Sequence, residues 1–251
     1  MYKYLTVTGV GFAIATVLAS PTAATDFDNL FAVQRDAFRA EVRAYLIEEP
    51  EVLMEAMEVL ERIKSEAEAQ RDAKAISTHA EYLFASPFDV VLGNLDGDVT
   101  VVEFFDYRCS YCRRAHADVK ELIKSDGNIR FVLKELPILG EESILASRFA
   151  IATRIALGVE AYAEVHDGLM QMRGGFNDSS LKALADELGL DSSAIMVAVE
   201  DRRVQATIDY NRLLAQQLFI SGTPSFVLGD QLARGYVPLD SMKDIVARLR
   251  E

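Results

Sequence analysis

The feature that most constrains this chain is a cysteine pair, Cys109-Ser110-Tyr111-Cys112, set just after an apolar run, Val99-Thr100-Val101-Val102-Glu103-Phe104-Phe105. These are the only two cysteines among 251 residues. The run reads as a buried strand, and the residues after the pair read as a helix. The spacing puts the first thiol at the open helix end and the second about one turn in. Strand, short turn, Cys-x-x-Cys and helix is the context in which a dithiol means thiol–disulfide exchange. Other readings fit less well. A structural zinc site needs about four ligands. The chain adds only His79, His116 and His166, with no second close pair. A structural disulfide stabilises by closing a long loop, and this one closes almost none. Two inert thiols have no reason to stand at the mouth of a strand–helix turn.

Residues 1–24 read as a secretory signal peptide. Lys3 gives the positive start, residues 7–19 are uncharged and apolar or small, and Thr22-Ala23-Ala24 offers a cleavage site. The run is short for a membrane span, although an N-terminal anchor is the alternative. Export implies an oxidising compartment. There, a single close cysteine pair suits work on other proteins' disulfides. With 39 acidic and 26 basic residues the net charge is −13, which makes the chain a poor candidate for nucleic acid, and none is expected as a partner.

Residues 25–84 read as a helical, charged segment. A first helix over 28–48 carries Leu30, Phe31, Phe38, Val42, Tyr45 and Leu46, and Pro50 ends it and opens the next. There Val52, Ala56, Val59, Leu60 and Ile63 share a face. Residues 64–75 hold no large apolar side chain. They read as a helical spacer with no buried face. The stripe upstream needs cover, from a second copy of the chain or from the main domain.

The main domain is expected over residues 85–251. Strands are predicted at 88–92, 99–105, 129–135, 225–228 and 232–235. Helices are predicted after the dithiol to about Ser125, throughout 141–219, and from Asp240 as an N-cap. The last helix would turn Met242, Ile245, Val246 and Leu249 inward. The order ββα, β, a block of helices, then ββα gives an α/β, thioredoxin-like fold with a helical insertion, preceded by an N-terminal helical segment.

Three ordered motifs carry a resemblance. They are Val102-Glu103-Phe104-Phe105-Asp106-Tyr107-x-Cys109-x-Tyr111-Cys112, then Lys134-Glu135-Leu136-Pro137-Ile138-Leu139-Gly140, then Gly222-Thr223-Pro224-Ser225-Phe226. In these the chain resembles the DsbA family of exported thiol–disulfide oxidoreductases. Residues 30–84, including Tyr45-Leu46-x-Glu48-x-Pro50-Glu51-Val52-Leu53, resemble the N-terminal segment of the ScsC-like branch, whose members can oligomerise through it. The resemblance implies Cys109 as attacking thiol and Cys112 as resolving thiol. Glu103 would be a buried acid that assists proton transfer at the second cysteine, the alternative being a structural ion pair with a lysine such as Lys134. Thr223-Pro224 would be a cis-proline loop that presents backbone to an extended substrate, the alternative being a trans proline. Tyr111, with Thr223 and Pro224, would meet substrate. Tyr111 stands where strongly oxidising relatives carry His, and Ser110 replaces the usual Pro or Gly, so weaker thiolate stabilisation is expected. Arg108, Arg113 and Arg114 read as solvated charges near the site, and His116 as an exposed helix residue.

The resemblance further implies a periplasmic enzyme that needs no dissociable cofactor and no metal. Its partners would be unfolded or misfolded exported proteins with cysteines, a membrane redox partner and further copies of itself. A monomer kept oxidised would be an oxidase. An oligomer with several facing dithiols, kept reduced, would be an isomerase. Two thiolates can also hold copper(I), so a copper-handling protein is a reading of another class. A module whose N-terminal helices do the work is a further one.

Overall fold

In the computed structural model the backbone is described from Thr25 to Glu251, and side chains from Gln34 onward. The expected signal peptide and the Leu30 and Phe31 side chains lie outside the described residues. The chain divides into two units, one ending at Arg62 and one running from Ile63 to the C-terminus. That division falls earlier than the expected boundary after residue 84.

The first unit is helical. Helix α1 covers Thr25–Glu48 and α2 covers Glu51–Thr78, passing into the second unit. Pro50 separates them, because it has no N–H for α1's ladder and its fixed φ suits a helix start. Phe38, Val42, Tyr45, Ile47, Leu53 and Leu60 are all exposed. A groove of about 430 Å³ between α1 and the start of α2 is lined by Phe38, Val42, Leu46, Ile47 and Leu53 with two arginines.

The second unit continues through α3 (Ala80–Phe84), β1 (Val90–Gly93), β2 (Val99–Phe105), α4 (Ser110–Asp126) and β3 (Ile129–Glu135). Five helices follow: α5 (Glu141–Leu157), α6 (Val159–Gln171), α7 (Asp178–Glu187), α8 (Ser192–Ala198) and α9 (Arg202–Gln217). β4 (Ser225–Leu228), β5 (Gln231–Arg234) and α10 (Leu239–Arg248) complete it. The sheet order is β1-β3-β2-β4-β5. Only the β2–β3 pair is parallel, and the others are antiparallel. This is a thioredoxin-like α/β fold with a helical insertion, preceded by an N-terminal helical segment.

β2 and β3 read as unbroken apolar runs because both faces are covered. Alternation along β2 sends Val101 and Phe105 into a core with Cys112, Val119, Phe149 and Val165. Val102 and Phe104 enter a second core with Ile76, Leu83, Leu214 and Leu218. The second core corrects one expectation. Within residues 64–75, read as having no buried face, Asp72 is 5% exposed, and Ile76 just beyond is buried. The inward residue of that stretch is charged and neutralised by Arg234, so apolar periodicity does not reveal it. Smaller differences lie at element ends. β1 starts two residues late, and α10 starts at Leu239 with Pro238 as N-cap. α4 ends where Gly127 takes a left-handed φ of 75°, which suits glycine.

Candidate active site

β2 delivers the chain to the dithiol through Asp106, Tyr107 and Arg108. Cys109 is the N-cap of α4, and its Sγ accepts from the Cys112 N–H at 3.4 Å. The helix start thus turns free N–H groups toward this sulfur. Cys112, one turn in, is fully buried. Cys109 is less open than the motif predicts, at 7% exposed, whereas Arg108, Ser110 and Tyr111 beside it are exposed. The cover comes from the loop before β4. The Thr223–Pro224 bond is cis, and the Thr223 carbonyl oxygen lies 3.2 Å from Cys109 Sγ. Cys109, Cys112 and Thr223 therefore come together, Pro224 follows Thr223 in the same loop, and Tyr111 stands exposed beside Cys109.

The two thiols are pulled apart in acidity. Hydrogen bonding from Cys112, joined by Thr223 and by the backbone N–H groups of Cys112 and Tyr111, outweighs burial and lowers Cys109 to about 5. Burial, the hydrogen bond it gives Cys109 and the nearby Glu103 charge push Cys112 far above the ordinary thiol range. The leading causes of the Cys109 shift are hydrogen bonds rather than charges, so the site keeps a strong thiolate bias without a histidine between the cysteines.

Glu103 points to the α4 side of the sheet with Val101 and Phe105. It is 3% exposed, and its Oε1 has no hydrogen-bond partner. Burial, and then the Cys109 charge, raise its pKa to about 8. The alternative ion pair with Lys134 fails on parity. Lys134 is registered beside Phe104, on the opposite face, and pairs with Asp89 at 2.5 Å.

Two surface readings are corrected. Arg113 is half-buried, donating to the Tyr107 carbonyl at 2.8 Å and the Met172 carbonyl at 2.7 Å. His116 has a side chain only 11% exposed, with Nε2 3.0 Å from Asp167 and its ring centroid 5.1 Å from that of His166. Both partners of His116 sit on α6, inside the insertion, so local sequence carries no sign of them. Arg108 and Arg114 do lie at the surface, the first paired with Glu142 at 3.0 Å and the second stacked on Tyr236.

Sequence reasoning missed Asp106 as a brace. It is fully buried and accepts from the backbone N–H groups of Arg108 (2.7 Å), Ile138 (2.8 Å) and Leu139 (3.0 Å). It therefore ties the dithiol turn to the loop after β3. An Asp that leaves an apolar strand two residues before a free N–H was the available signal. It also missed Glu135, whose carboxylate accepts from Tyr107 (3.1 Å), Tyr162 (2.8 Å) and Ser147 (2.7 Å) below the site. Burial raises Glu135 to about 8. Among the described residues no cluster of three or more His, Cys, Asp or Glu is placed to hold a metal ion, and no helix is long and apolar enough to cross a membrane.

Known proteins share this architecture. The family model for the DSBA-like thioredoxin domain matches residues 100–247, and that for the copper resistance protein ScsC N-terminal domain matches residues 34–67. The solved structure of a thioredoxin-like oxidoreductase from Silicibacter pomeroyi DSS-3 is 46% identical, covering 68% of this chain and 96% of that chain with a TM-score of 0.64. Proteus mirabilis ScsC, in a transitional conformation, is 27% identical over 86% of this chain and 97% of that chain, with a TM-score of 0.64. Among curated proteins, the Na(+)/H(+) antiporter NhaA 1 of Salinispora arenicola is 32% identical over 158 residues. That match covers 63% of this chain, and the chain spans only 24% of the antiporter's length. The chain belongs to the DSBA-like thioredoxin domain family.

Proposed function

We propose that the protein is a periplasmic thiol–disulfide oxidoreductase acting on exported proteins with cysteines, with Cys109 as attacking and Cys112 as resolving thiol. The observation that carries this is the split between them. One sulfur is held as thiolate beside a substrate-type loop, and its neighbour is sealed in the core next to an acid that stays protonated near neutral pH. In the oxidised protein a substrate thiolate attacks Cys109 Sγ, the Cys109–Cys112 bond breaks, and Cys112 leaves as a thiolate. Glu103 gives Cys112 a proton, which favours its departure. A second substrate thiolate then attacks the substrate sulfur of the mixed disulfide and releases Cys109 as thiolate. The substrate loses two electrons and two protons. The dithiol gains the electrons, and a membrane redox partner reoxidises it. Run from the reduced state, the same Cys109 thiolate opens wrong substrate disulfides.

The match to an ScsC N-terminal domain and the exposed apolar side chains of the first unit favour a homo-oligomer with several dithiols, and so an isomerase. Copper(I) handling is the second reading. It needs both sulfurs as thiolates, and the raised pKa of Cys112 works against it. The test is trapping. Cys112→Ser should accumulate mixed disulfides with exported proteins, and Cys109→Ser should form none and lose exchange. If alkylation of the reduced protein at neutral pH labels Cys112 first, the roles are reversed and the proposal fails.

A further inference from the structure

Thr223 ends a loop that leaves α9 at Leu218 and enters β4 at Ser225. This loop is held from behind by groups the exchange chemistry does not use. Leu218 and Ile220 are buried in the second core with Ile76 of α2. Between them Phe219 takes a φ of 56°, a left-handed conformation rare for a bulky residue, and its ring is 54% exposed. The Arg71 guanidinium lies 4.7 Å from the centroid of that ring. Arg234 reaches the loop's backbone, at 3.4 Å from both the Leu218 and the Phe219 carbonyl oxygens. It stands opposite Ser225 across the β4–β5 ladder, and the next residue, Gly235, donates to the Pro224 carbonyl at 2.8 Å. Both arginines converge on Asp72. Arg234 grips its carboxylate in a fork at 2.6 and 3.0 Å, and Arg71 adds a contact at 3.2 Å.

We infer that Asp72 is a positioning residue for the substrate loop: with Arg234 and Arg71 it clasps residues 218–224 so that the Thr223 backbone keeps its place over Cys109. The inference rests on the reading of Thr223-Pro224 as the loop that receives substrate. The clasp has the form that positioning requires. A forked guanidinium–carboxylate pair fixes direction as well as distance. An apolar pair would serve bare stability as well or better. The left-handed Phe219 follows the C-cap of α9, where its N–H bonds the Gln216 carbonyl at 3.1 Å and the Ile220 N–H bonds the Ala215 carbonyl at 2.8 Å. Arg71 and Arg234 grip the chain at this cap, on the ring and on the carbonyl. The substrate class that would feel the clasp is an extended peptide that pairs with the Thr223 backbone like an added strand. A small thiol that reaches only the Cys109 sulfur makes no such pairing.

The test uses the oxidised full-length protein with two variants, Asp72→Asn and Arg234→Lys. Each reacts with reduced glutathione and with a short unstructured peptide bearing one reduced cysteine. The expected result in both variants is a peptide KM raised about tenfold, below the roughly hundredfold that a 1 Å misplacement can cost. The peptide kcat and the glutathione rate should move far less, and amide hydrogen exchange at residues 220–223 should rise. Asp72→Glu, which keeps the charge, should recover part of the KM. Equal slowing with peptide and glutathione overturns the inference, as does an unchanged peptide KM in either folded variant. Should Asp72→Asn fail to fold, Arg234→Lys decides alone by the same KM. If the unsubstituted protein exchanges with neither thiol, the proposed function falls and this inference falls with it.

Discussion

Cys109 and Cys112 carry the same side chain three residues apart, and their surroundings drive them in opposite directions. The Cys109 thiol falls from its ordinary 9.0 to about 5. Cys109 therefore stabilises the reduced form relative to the oxidised form increasingly from pH 5 toward 9, an advantage lost as pH falls through 5, while above 9 the raised Cys112 thiol works the other way. Denaturant melts of the two forms across that range should show their gap closing toward acid, and alkylation of Cys109 should titrate with a midpoint near 5. A flat gap, or a midpoint near that of free cysteine, would contradict the hydrogen-bond account. Glu103 runs the other way. Its pKa rises from 4.5 to about 8, so its folded-state stability is intact below pH 4.5 and is lost as pH climbs through 8. In the reduced protein Glu103→Gln should flatten that alkaline loss. It should also slow release of Cys112 up to about a hundredfold while changing attack on small disulfides by Cys109 far less. Equal slowing of both steps would mark a general structural defect. Glu103 was legible because an acid inside an apolar strand is costly without a task, whereas the ion pair with Lys134 stayed open until the β2–β3 register placed Lys134 beside Phe104. Arg113 and His116 were not legible, since the groups that bury them, Met172, His166 and Asp167, lie in a distant part of the chain.

At the scale of elements, legibility follows the kind of cover each one has. β2 and β3 were readable to the residue because two covered faces leave a continuous apolar run between turn signals. β1, at the sheet edge with one buried residue of four, shifted by two positions. The end of α2 was misread because its inward side chains are Asp72 and a single isoleucine, too sparse for an apolar stripe. That packing has a measurable consequence. Ile76 is 4% exposed among Leu83, Leu218 and Ile220. Ile76→Ala should cost the second unit about 2–5 kcal/mol through lost transfer energy and a residual cavity. Lys74→Ala, on the exposed side of the same turns, should stay within about 0.5 kcal/mol. The chain has no tryptophan, so urea unfolding would be followed by circular dichroism. Equal and small effects at both sites would mean that α2's last turns are an undocked spacer after all.

At the scale of the whole molecule, the sequence order of strands and helices was enough for the topology, but not for where the catalytic unit begins. The compact second unit starts in mid-helix at Ile63, where the end of α2 is fastened by Ile76 and by the half-buried Asp72–Arg234 pair, which apolar patterning cannot report. This changes how the first unit must be removed. Cutting after residue 75 would strip Asp72 and its clasp, whereas cutting after residue 62 leaves Asp72, Ile76 and both cores whole. In the first unit Phe38, Tyr45, Ile47, Met54 and Met57 are each at least half exposed. Surface helices normally bury such side chains. We propose a second copy of the chain as their cover, in keeping with the ScsC-type match over residues 34–67. Deleting residues 25–62 should then give a folded monomer that still oxidises a dithiol through Cys109 and Cys112. It should lose disulfide isomerisation, which gains when several sites face one substrate. The full-length protein should sediment as a homo-oligomer, and Tyr45→Lys or Leu60→Lys should shift it toward monomer without lowering single-dithiol oxidation. A monomer at high concentration, or a deletion that keeps isomerase activity, would overturn the assembly and leave the first unit's apolar side chains to another partner.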